Sequence, residues 1–150
     1  MARTFTTFDL ALKDYALAFP LIQAMVPGIT LDSWLAYATA GPSVEHGIVA
    51  LRSDAKYICG LFLYRIAADL IDGKIFTVDL FVTLDLLREE FAFDALHQIA
   101  EARAIELKCN QMEIRVRQNQ SLLGQRLQKS GHDPRWQLFC KRIEQPRLAS

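Results

Sequence analysis

The spacing of cysteine and histidine residues decides first whether metal or disulfide chemistry is expected. The three cysteines, Cys59, Cys109 and Cys140, are widely separated, odd in number and form no CxxC pair. No histidine stands at ligand spacing from them, so neither a zinc site nor a disulfide framework is predicted. We expect buried, reduced thiols and no bound metal, as is typical of a cytoplasmic protein.

The distribution of charged residues favours an anionic ligand, provided that the basic residues take part in binding. From Arg115 onward the chain carries eight basic residues and two acidic ones, Asp133 and Glu144. Such a segment could attract phosphate groups or an acidic substrate, and it could equally be a solvated face. Lys and Arg together number 17, as do Asp and Glu, so the formal net charge is zero. That balance argues against a protein that coats nucleic acid.

Length and hydrophobicity predict one globular domain, residues 1–150. The chain has 150 residues, of which 51% are hydrophobic, enough for a full core. The uncharged stretch Tyr15–Leu31 contains Pro20 and Pro27-Gly28, so we interpret it as a broken, buried helical region rather than a membrane span. The N-terminus shows no signal-peptide core.

Periodicity predicts a mixed α/β (α+β) sheet in the order β-α-α-β-β-β-α-β-α-β, with helices packed on it. The predicted elements are a strand at Phe5–Leu12, helices at Tyr15–Met25 and Leu31–Ala40, strands at His46–Arg52, Tyr57–Leu70 and Lys74–Leu84, a helix at Ala92–Cys109, a strand at Met112–Val116, a short helix that Asn119 caps and Gly131 closes, and a final strand at Trp136–Ile143. Asp72-Gly73 predicts a type I′ hairpin turn. The strand before Ala92 and the strand from Met112 should be parallel, because a helix joins them.

Alternation along Lys74–Leu84 assigns its side chains to two faces. The expected faces are Phe76, Val78, Leu80 and Val82 on one side and Ile75, Thr77, Asp79 and Phe81 on the other.

This order of elements resembles the GNAT superfamily of acyl-CoA-dependent N-acyltransferases over nearly the whole chain. The best local match runs from Asp79-Leu80-Phe81-Val82 through Ala92. The family's loop of pattern [QR]-x-x-G-x-[GA], which opens a long helix, falls on Leu87–Ala92 when laid on without gaps. A second, weaker match covers Asn119–His132, where the family shows an Asn, a short helix and Gly-Phe.

The resemblance implies an acyl-CoA site. The backbone of Phe81 and Val82 would pair with the pantetheine. Asn119 either contacts the cofactor or only caps its helix. The loop and the helix N-terminus would hold the pyrophosphate, because N–H groups and the helix dipole favour an anion there. The candidate residues of this loop are Arg88, Glu89, Glu90, Phe91 and Ala92.

The loop departs from the family pattern. Glu90 occupies the first glycine position, and Leu87 replaces the usual Gln or Arg. A shift by one residue places Arg88 first but puts Phe91 and Phe93 at the glycine positions. Glu89 and Glu90 either stabilise the helix N-terminus, by roughly 0.3–1 kcal/mol each, or mark an altered acyl-CoA site.

Asp79 is the candidate catalytic residue, because the resemblance implies a general base on this strand. The alternative is a carboxylate satisfied by a neighbouring hydroxyl or Arg. The family's usual acid, a tyrosine on the last helix, has no counterpart in Gly124–Leu127. His132 could substitute for it or be a surface residue, and the roles of Tyr57 and Tyr64 stay unassigned.

We therefore expect an N-acetyltransferase that uses acetyl-CoA or another acyl-CoA as co-substrate and no metal. The acceptor would be a primary amine of a small molecule or peptide. The protein would be cytoplasmic and would have no nucleic-acid or membrane partner. A homodimer is one of the assemblies that it could form. The alternative is a catalytically degenerate GNAT-fold module that binds a ligand or dimerises, and a third possibility is an unrelated α/β binding protein, which absence of the central meander would favour.

Overall fold

Over the described residues, 5–39, 46–53, 57–83 and 90–144, the computed structural model has five strands and four α-helices. In chain order they are β1 (Phe5–Asp9), a 3-10 turn (Leu12–Asp14), α1 (Tyr15–Met25), α2 (Leu31–Thr39), β2 (His46–Ser53), β3 (Ile58–Asp69), β4 (Gly73–Thr83), α3 (Glu90–Glu106), β5 (Gln111–Ile114) and α4 (Ser121–Lys129). None of the helices described is both long and apolar enough to cross a membrane.

The strands form one mixed sheet in the order β1-β2-β3-β4-β5. β1 to β4 pair antiparallel, which confirms the predicted meander, and β5 pairs parallel to β4. The parallel pair is joined by α3, as the sequence predicts. A parallel neighbour needs such a crossover because its start lies at the opposite end of the sheet.

Apolar clusters cover both faces of the sheet. On one face α3 and α4 pack through Leu96 and Leu123 against a stack of sheet aromatics that includes Phe62 and Phe81. On the other face α1 and α2 pack against Leu61, Leu80 and neighbouring aliphatic residues. The central strands are therefore buried on both sides, which explains their nearly continuous apolar sequence.

The α1–α2 pair is fixed by a buried tryptophan. Trp34 is 1% exposed, and its Nε1 donates a hydrogen bond of 2.7 Å to the carbonyl of Tyr15. The sequence predicts an interruption of α1 at Pro20, but the helix continues through it. Pro20 and Ala16 are both exposed, so water can satisfy the Ala16 carbonyl that loses its intrahelical partner.

A β-bulge interrupts the regular alternation of β4. Leu63 of β3 pairs with Leu80, and the next residue, Tyr64, pairs with Val78, so Asp79 is the extra residue. Val78 therefore lies in the α3 cluster and Leu80 in the α1–α2 cluster.

The predicted assignment of faces is therefore wrong beyond Val78. Phe81 shares a face with Phe76 and Val78, while Leu80 and Val82 lie on the opposite one. The reason is that the extra residue of a bulge shifts all later side chains by one position.

The hairpin between β3 and β4 also differs from the predicted two-residue turn. Asp69 pairs with Gly73, which leaves three residues, Leu70, Ile71 and Asp72, in the connection. The Asp69 carboxylate accepts the N–H groups of Ile71 (3.0 Å) and Asp72 (2.8 Å). This Asx-type turn competes with a type I′ turn by supplying its own acceptor. Gly73 keeps the positive φ, +79°, that the turn requires.

We predict that Gly73→Ala destabilises the fold by about 1–2 kcal/mol, because an L-residue is strained at this φ. The added Cβ would also lie 2.6 Å from Asn110 Nδ2, so that amide would have to move. Gly124→Ala is the matched control. It lies within α4 with only Val116 Cγ1, at 3.9 Å, near the new Cβ, and should stabilise by about 0.5–1 kcal/mol. Urea unfolding of both variants would measure this, and equal effects would contradict the backbone argument.

The end of α4 follows the sequence, whereas its start does not. Gly131, at φ +95°, terminates the helix as predicted, and His132 N–H donates to the Leu127 carbonyl at 2.9 Å. This is the Schellman arrangement that favours glycine. Gln120, rather than the predicted Asn119, occupies the N-cap position, without a side-chain cap hydrogen bond.

The predicted final strand at Trp136–Ile143 is wrong for this structure, because residues 132–144 form neither strand nor helix. A strand has no stability without a partner, and within the described chain β5 pairs only with β4.

Candidate functional site

A cleft opens where β4 and β5 part. β5 pairs with β4 only from Ile75 to Val78, and the last bond runs from Arg115 N–H to the Val78 carbonyl at 2.9 Å. Among the described residues, none of β5 pairs with the rest of β4, residues 79–83. The parting coincides with the bulge at Asp79, because the bulge turns β4 away from the line of β5.

Gln120 spans this cleft. It is 3% exposed, its Nε2 donates to the Phe81 carbonyl at 3.0 Å, and its Oε1 accepts the N–H of Arg117 at 3.1 Å. The Phe81 carbonyl therefore faces the cleft. Sequence reasoning selected the neighbour Asn119, which is exposed. Only the fold shows which of two adjacent amide side chains points inward.

A cavity of about 250 Å³ lies beside the bulge. Its lining residues come from α2, the start of β2, the centre of β3 and the bulge of β4: Tyr37, His46, Tyr64, Arg65, Ile66 and Asp79. Of these, the sequence indicated Asp79 as a catalytic candidate and Tyr64 as a residue without a role. Tyr37, His46 and Arg65 were missed, because they lie far apart in the chain and match no motif.

Asp79 is held by two guanidinium groups. Arg65 Nε donates to both carboxylate oxygens, at 3.0 and 3.3 Å, and Arg115 Nε lies 3.5 Å from Oδ1. This is the arrangement that the alternative interpretation of Asp79 describes, a carboxylate satisfied by Arg. Side-chain exposures of 42% for Arg65 and 50% for Arg115 leave both pairs accessible to water, so their contribution to stability is small. They mainly orient the carboxylate.

Tyr37 presents a neutral phenol to the cavity. Tyr37 is 56% exposed, and the partial burial of its hydroxyl raises the pKa of that group. The negative charge of Asp79 raises this pKa further, and Arg65 opposes both effects. The ring stacks on Trp34 with the centroids 6.3 Å apart. Tyr37 can therefore donate a proton or a hydrogen bond at neutral pH.

The structure places the other aromatic candidates differently. The hydroxyl of Tyr64 accepts a hydrogen bond of 3.0 Å from Arg103 Nη1. Tyr57 is 52% exposed and does not line the cavity. His132 Nε2 lies 2.8 Å from Nε2 of His97, between α3 and the end of α4. The structure thus brings Asp79 and Tyr64 together and leaves Tyr57 and His132 out of the cavity.

The candidate anion-binding loop falls largely outside the described residues. Arg88 and Glu89 belong to residues 84–89, which are not described. Glu90 is the first residue of α3, and the side chains of Glu90 and Phe91 are not among those that the structure describes. Ala92 is buried and packs in the α3 cluster. In the described part of the chain, no group of three or more potential His, Cys, Asp or Glu ligands is arranged to hold a metal ion.

The His97–His132 pair makes stability depend on pH. Burial lowers the pKa of His97. Burial also lowers the pKa of His132, and the charge of His97 lowers it further. Glu101, whose carboxylate lies 3.6 Å from His97 Nδ1, opposes the lowering of both pKa values. Asp94 adds to this effect at His97, and Asp133 adds to it at His132. The folded pKa values thus lie below the unfolded value of about 6.5, and the unfolded state binds more protons in acid.

We predict that the free energy of unfolding is constant above about pH 7.5 and decreases as the pH falls through about 6.5, by at most about 1.4 kcal/mol per pH unit for each histidine. Urea unfolding between pH 5 and 7.5 would measure the slope. A double variant, His97→Gln with His132→Gln, should lose most of it. An unchanged slope in the double variant would assign the acid sensitivity to other groups.

No protein-family model matches this sequence, and no curated protein matches it either. Solved structures do match its fold. An aminoglycoside N-acetyltransferase in complex with CoA has a TM-score of 0.81 at 13% identity, over 95% of this chain and 97% of that one. Glucosamine-6-phosphate N-acetyltransferase from Arabidopsis thaliana has a TM-score of 0.71 at 13% identity. The match covers 94% of this chain and 99% of that one.

A third structure, ribosomal-protein-alanine N-acetyltransferase from Brucella melitensis biovar Abortus 2308, has a TM-score of 0.74 at 15% identity, over 95% of this chain and 100% of that one. Identities this low establish the fold, while the function has to be argued from the site. In each of the three comparisons the match spans nearly the whole length of both chains, so it covers the sheet, the cleft and the helices together. The chain has the fold of the GNAT superfamily of N-acetyltransferases.

Proposed function

We propose that this protein is an acetyl-CoA-dependent N-acetyltransferase that acts on a primary amine. The observation that carries the proposal is the open edge of β4 beyond Val78, directly beside a cavity with an oriented carboxylate, Asp79. An extended, amide-bearing ligand can add to such an edge as a further strand. The reacting end of that ligand would then lie at the bulge.

The described residues fit the pantetheine arm of acetyl-CoA. The backbone of Phe81 and Val82 would pair with its amide groups. Gln120 already bonds the Phe81 carbonyl, but a carbonyl oxygen accepts two hydrogen bonds, so a second donor can approach. The pyrophosphate would lie at the start of α3, near Ala92, where helix N–H groups favour anions. Arg88, Glu89, Glu90, Phe91 and Asn119 are the further candidates that the sequence supplies.

The cavity at the bulge is the proposed acceptor site. The amine nitrogen would form a bond to the acetyl carbonyl carbon as the carbon–sulfur bond breaks. Asp79 would accept the proton that the amine loses, directly or through a water molecule. Tyr37, whose phenol stays neutral, would supply a proton to the departing thiolate. Tyr37 would thus take the role of general acid, for which Gly124–Leu127 of the last helix contains no tyrosine.

The ion pairs of the cavity favour an acceptor that carries an anionic group beside its amine. Arg65 and Arg115 lie next to Asp79 and keep part of their surface exposed. An ammonium group approaching Asp79 would place a neighbouring carboxylate or phosphate near these guanidinium groups, which bind such oxygens well. Small amines and peptide N-termini with nearby acidic groups are therefore the first acceptors to test.

The proposed activity can be tested by thiol release from acetyl-CoA in the presence of a panel of primary amines, half of them with a carboxylate or phosphate near the amine. We expect turnover with at least one member of the acidic half and less with matched neutral amines. Tyr37→Phe should lower turnover without changing acetyl-CoA affinity. Absence of turnover with every amine, together with measurable acetyl-CoA binding, would favour the degenerate ligand-binding module instead. The observation that supports this alternative is that Asp79 pairs with two arginines, Arg65 and Arg115.

A further inference from the structure

The hydrogen-bond ladder between β4 and β5 stops one step before two backbone groups that could extend it. Its last bond joins Arg115 N–H to the Val78 carbonyl. In a parallel pair the next bond comes from the residue two positions later, here Arg117, and reaches a carbonyl two positions further along the partner strand. Because the bulge residue Asp79 adds one position to β4, the next acceptor is the carbonyl of Phe81.

The carboxamide of Gln120 occupies the place of that next bond. Arg117 N–H donates to Gln120 Oε1 at 3.1 Å, and Gln120 Nε2 donates to the Phe81 carbonyl at 3.0 Å. The two backbone groups are thus satisfied through one inserted amide group instead of by each other. The strands are therefore held one carboxamide further apart here than directly paired strands, whose spacing is roughly 4.7–4.9 Å.

The turn before α4 holds this carboxamide in position. Gln120 N–H donates to the Arg117 carbonyl at 2.9 Å, so Gln120 binds both backbone groups of Arg117. Gln120 is 3% exposed, and a buried amide is costly unless it is hydrogen-bonded. It stands at the N-cap position of α4 but makes no side-chain cap bond. The helix therefore does not explain where this side chain lies, whereas the cleft does.

We propose that Gln120 is a positioning residue whose carboxamide is a spacer that keeps the β4–β5 cleft open in the free protein. Without it, the Arg117 N–H and the Phe81 carbonyl would bond directly, and pairing with β4 would continue beyond Val78. The spacer itself follows from the hydrogen bonds and the register. Its effect on ligand binding rests on the proposed function, because the pantetheine arm needs the open edge of β4.

A side chain that only stabilises the fold would behave differently when it is removed. Loss of such a buried group lowers stability, because its hydrogen-bond partners are left unsatisfied. The partners of a spacer satisfy each other once the spacer is gone. Its loss therefore leaves stability nearly unchanged while it closes the ligand site, and this difference separates the two roles.

Residue-resolved hydrogen exchange of the free protein tests the spacer without any ligand. In a parallel ladder the N–H and C=O groups of one residue point to the same neighbour, so the Phe81 N–H faces the cleft together with its carbonyl. In Gln120→Ala the strands should pair, and the Phe81 amide should exchange roughly tenfold or more slowly than in the unmodified protein. Gln118→Ala is the matched control, because Gln118 is exposed two positions earlier, and it should leave this exchange unchanged.

Gln120→Met separates spacing from hydrogen bonding. Methionine has nearly the volume of glutamine but no carboxamide, so it keeps the strands apart and leaves the Arg117 N–H and the Phe81 carbonyl unsatisfied. Urea unfolding and isothermal titration should therefore give opposite results for the two variants. Gln120→Ala should keep its stability and lose roughly tenfold or more in acetyl-CoA affinity, whereas Gln120→Met should keep the affinity and unfold at lower urea concentration. Affinity for 3′-phosphoadenosine diphosphate, which has no pantetheine arm, should be equal in both.

Equal exchange of the Phe81 amide in the unmodified protein and in Gln120→Ala would overturn the proposal. Loss of stability in Gln120→Ala without loss of acetyl-CoA affinity would overturn it as well. A Gln120→Ala protein that does not fold would do the same, because the freed backbone groups are expected to bond each other. If the unmodified protein binds no acetyl-CoA but Gln120→Ala slows the exchange, the spacer is supported and the proposed function is contradicted.

Discussion

Replacing Asp79 by asparagine is expected to lower turnover roughly 10²–10⁴-fold, the range for loss of a positioned proton acceptor. Asparagine keeps the shape and can still accept a hydrogen bond from Arg65, but it takes no proton from the amine. Acetyl-CoA affinity should change little, because Asp79 lines the cavity that we propose as the acceptor site. Steady-state kinetics and a binding titration on the same preparation would separate the two quantities.

Asp9→Asn is the control for that experiment. Asp9 also pairs with an arginine, Arg103, at 3.2 Å, but lies outside the cavity. The Asp9→Asn variant should therefore have the same turnover as the unmodified protein. If Asp79→Asn instead lowered stability and affinity together while kcat stayed the same, the carboxylate would be a structural partner of Arg65 and Arg115.

Replacing Trp34 by alanine is expected to destabilise the protein by about 3–5 kcal/mol, the usual range for a fully buried aromatic. Trp34 is 1% exposed, joins α2 to α1 through the Tyr15 carbonyl, and supports the ring of Tyr37. The same change should therefore also loosen the cavity that Tyr37 lines and, if the proposed acceptor site is correct, raise KM for the amine.

Trp34→Phe separates the two contributions of this side chain. It retains most of the buried area but removes the indole N–H that donates to the Tyr15 carbonyl and part of the buried ring, so a loss of about 1–3 kcal/mol is expected. Denaturant titrations of both variants would test this order. A loss below about 1 kcal/mol for the alanine variant, compared with the buried-aromatic range, would mean that α2 does not depend on this contact.

Periodicity and turn chemistry were sufficient to predict most of the fold from the sequence. The apolar stripe of α3, the meander of β2 to β4 and the parallel placement of β5 follow from local patterns that the tertiary structure leaves intact. The bulge at Asp79 could not be predicted, because it depends on the register between β3 and β4 rather than on either sequence alone. One inserted residue reversed the faces of Leu80, Phe81 and Val82.

The candidate site was predictable only where a family pattern pointed at it. Asp79 lines the cavity, and its catalytic role is the prediction that the Asp79→Asn experiment tests. Tyr37, Arg65 and Gln120 reach the cleft and cavity through folding of distant segments, so no local spacing marks them. Residues 136–143 are the opposite case, because their sequence has a strand pattern but the structure forms no strand there.

Isothermal titration would show whether the β4 edge beyond Val78 binds the pantetheine arm of acetyl-CoA, as we propose. Acetyl-CoA should be titrated beside 3′-phosphoadenosine diphosphate, which carries the phosphates but no pantetheine. We predict one molecule of acetyl-CoA per chain, bound roughly tenfold or more tightly than the fragment, a difference of about 1.4 kcal/mol or more. Equal affinity for both ligands, or no binding of acetyl-CoA at all, would contradict it.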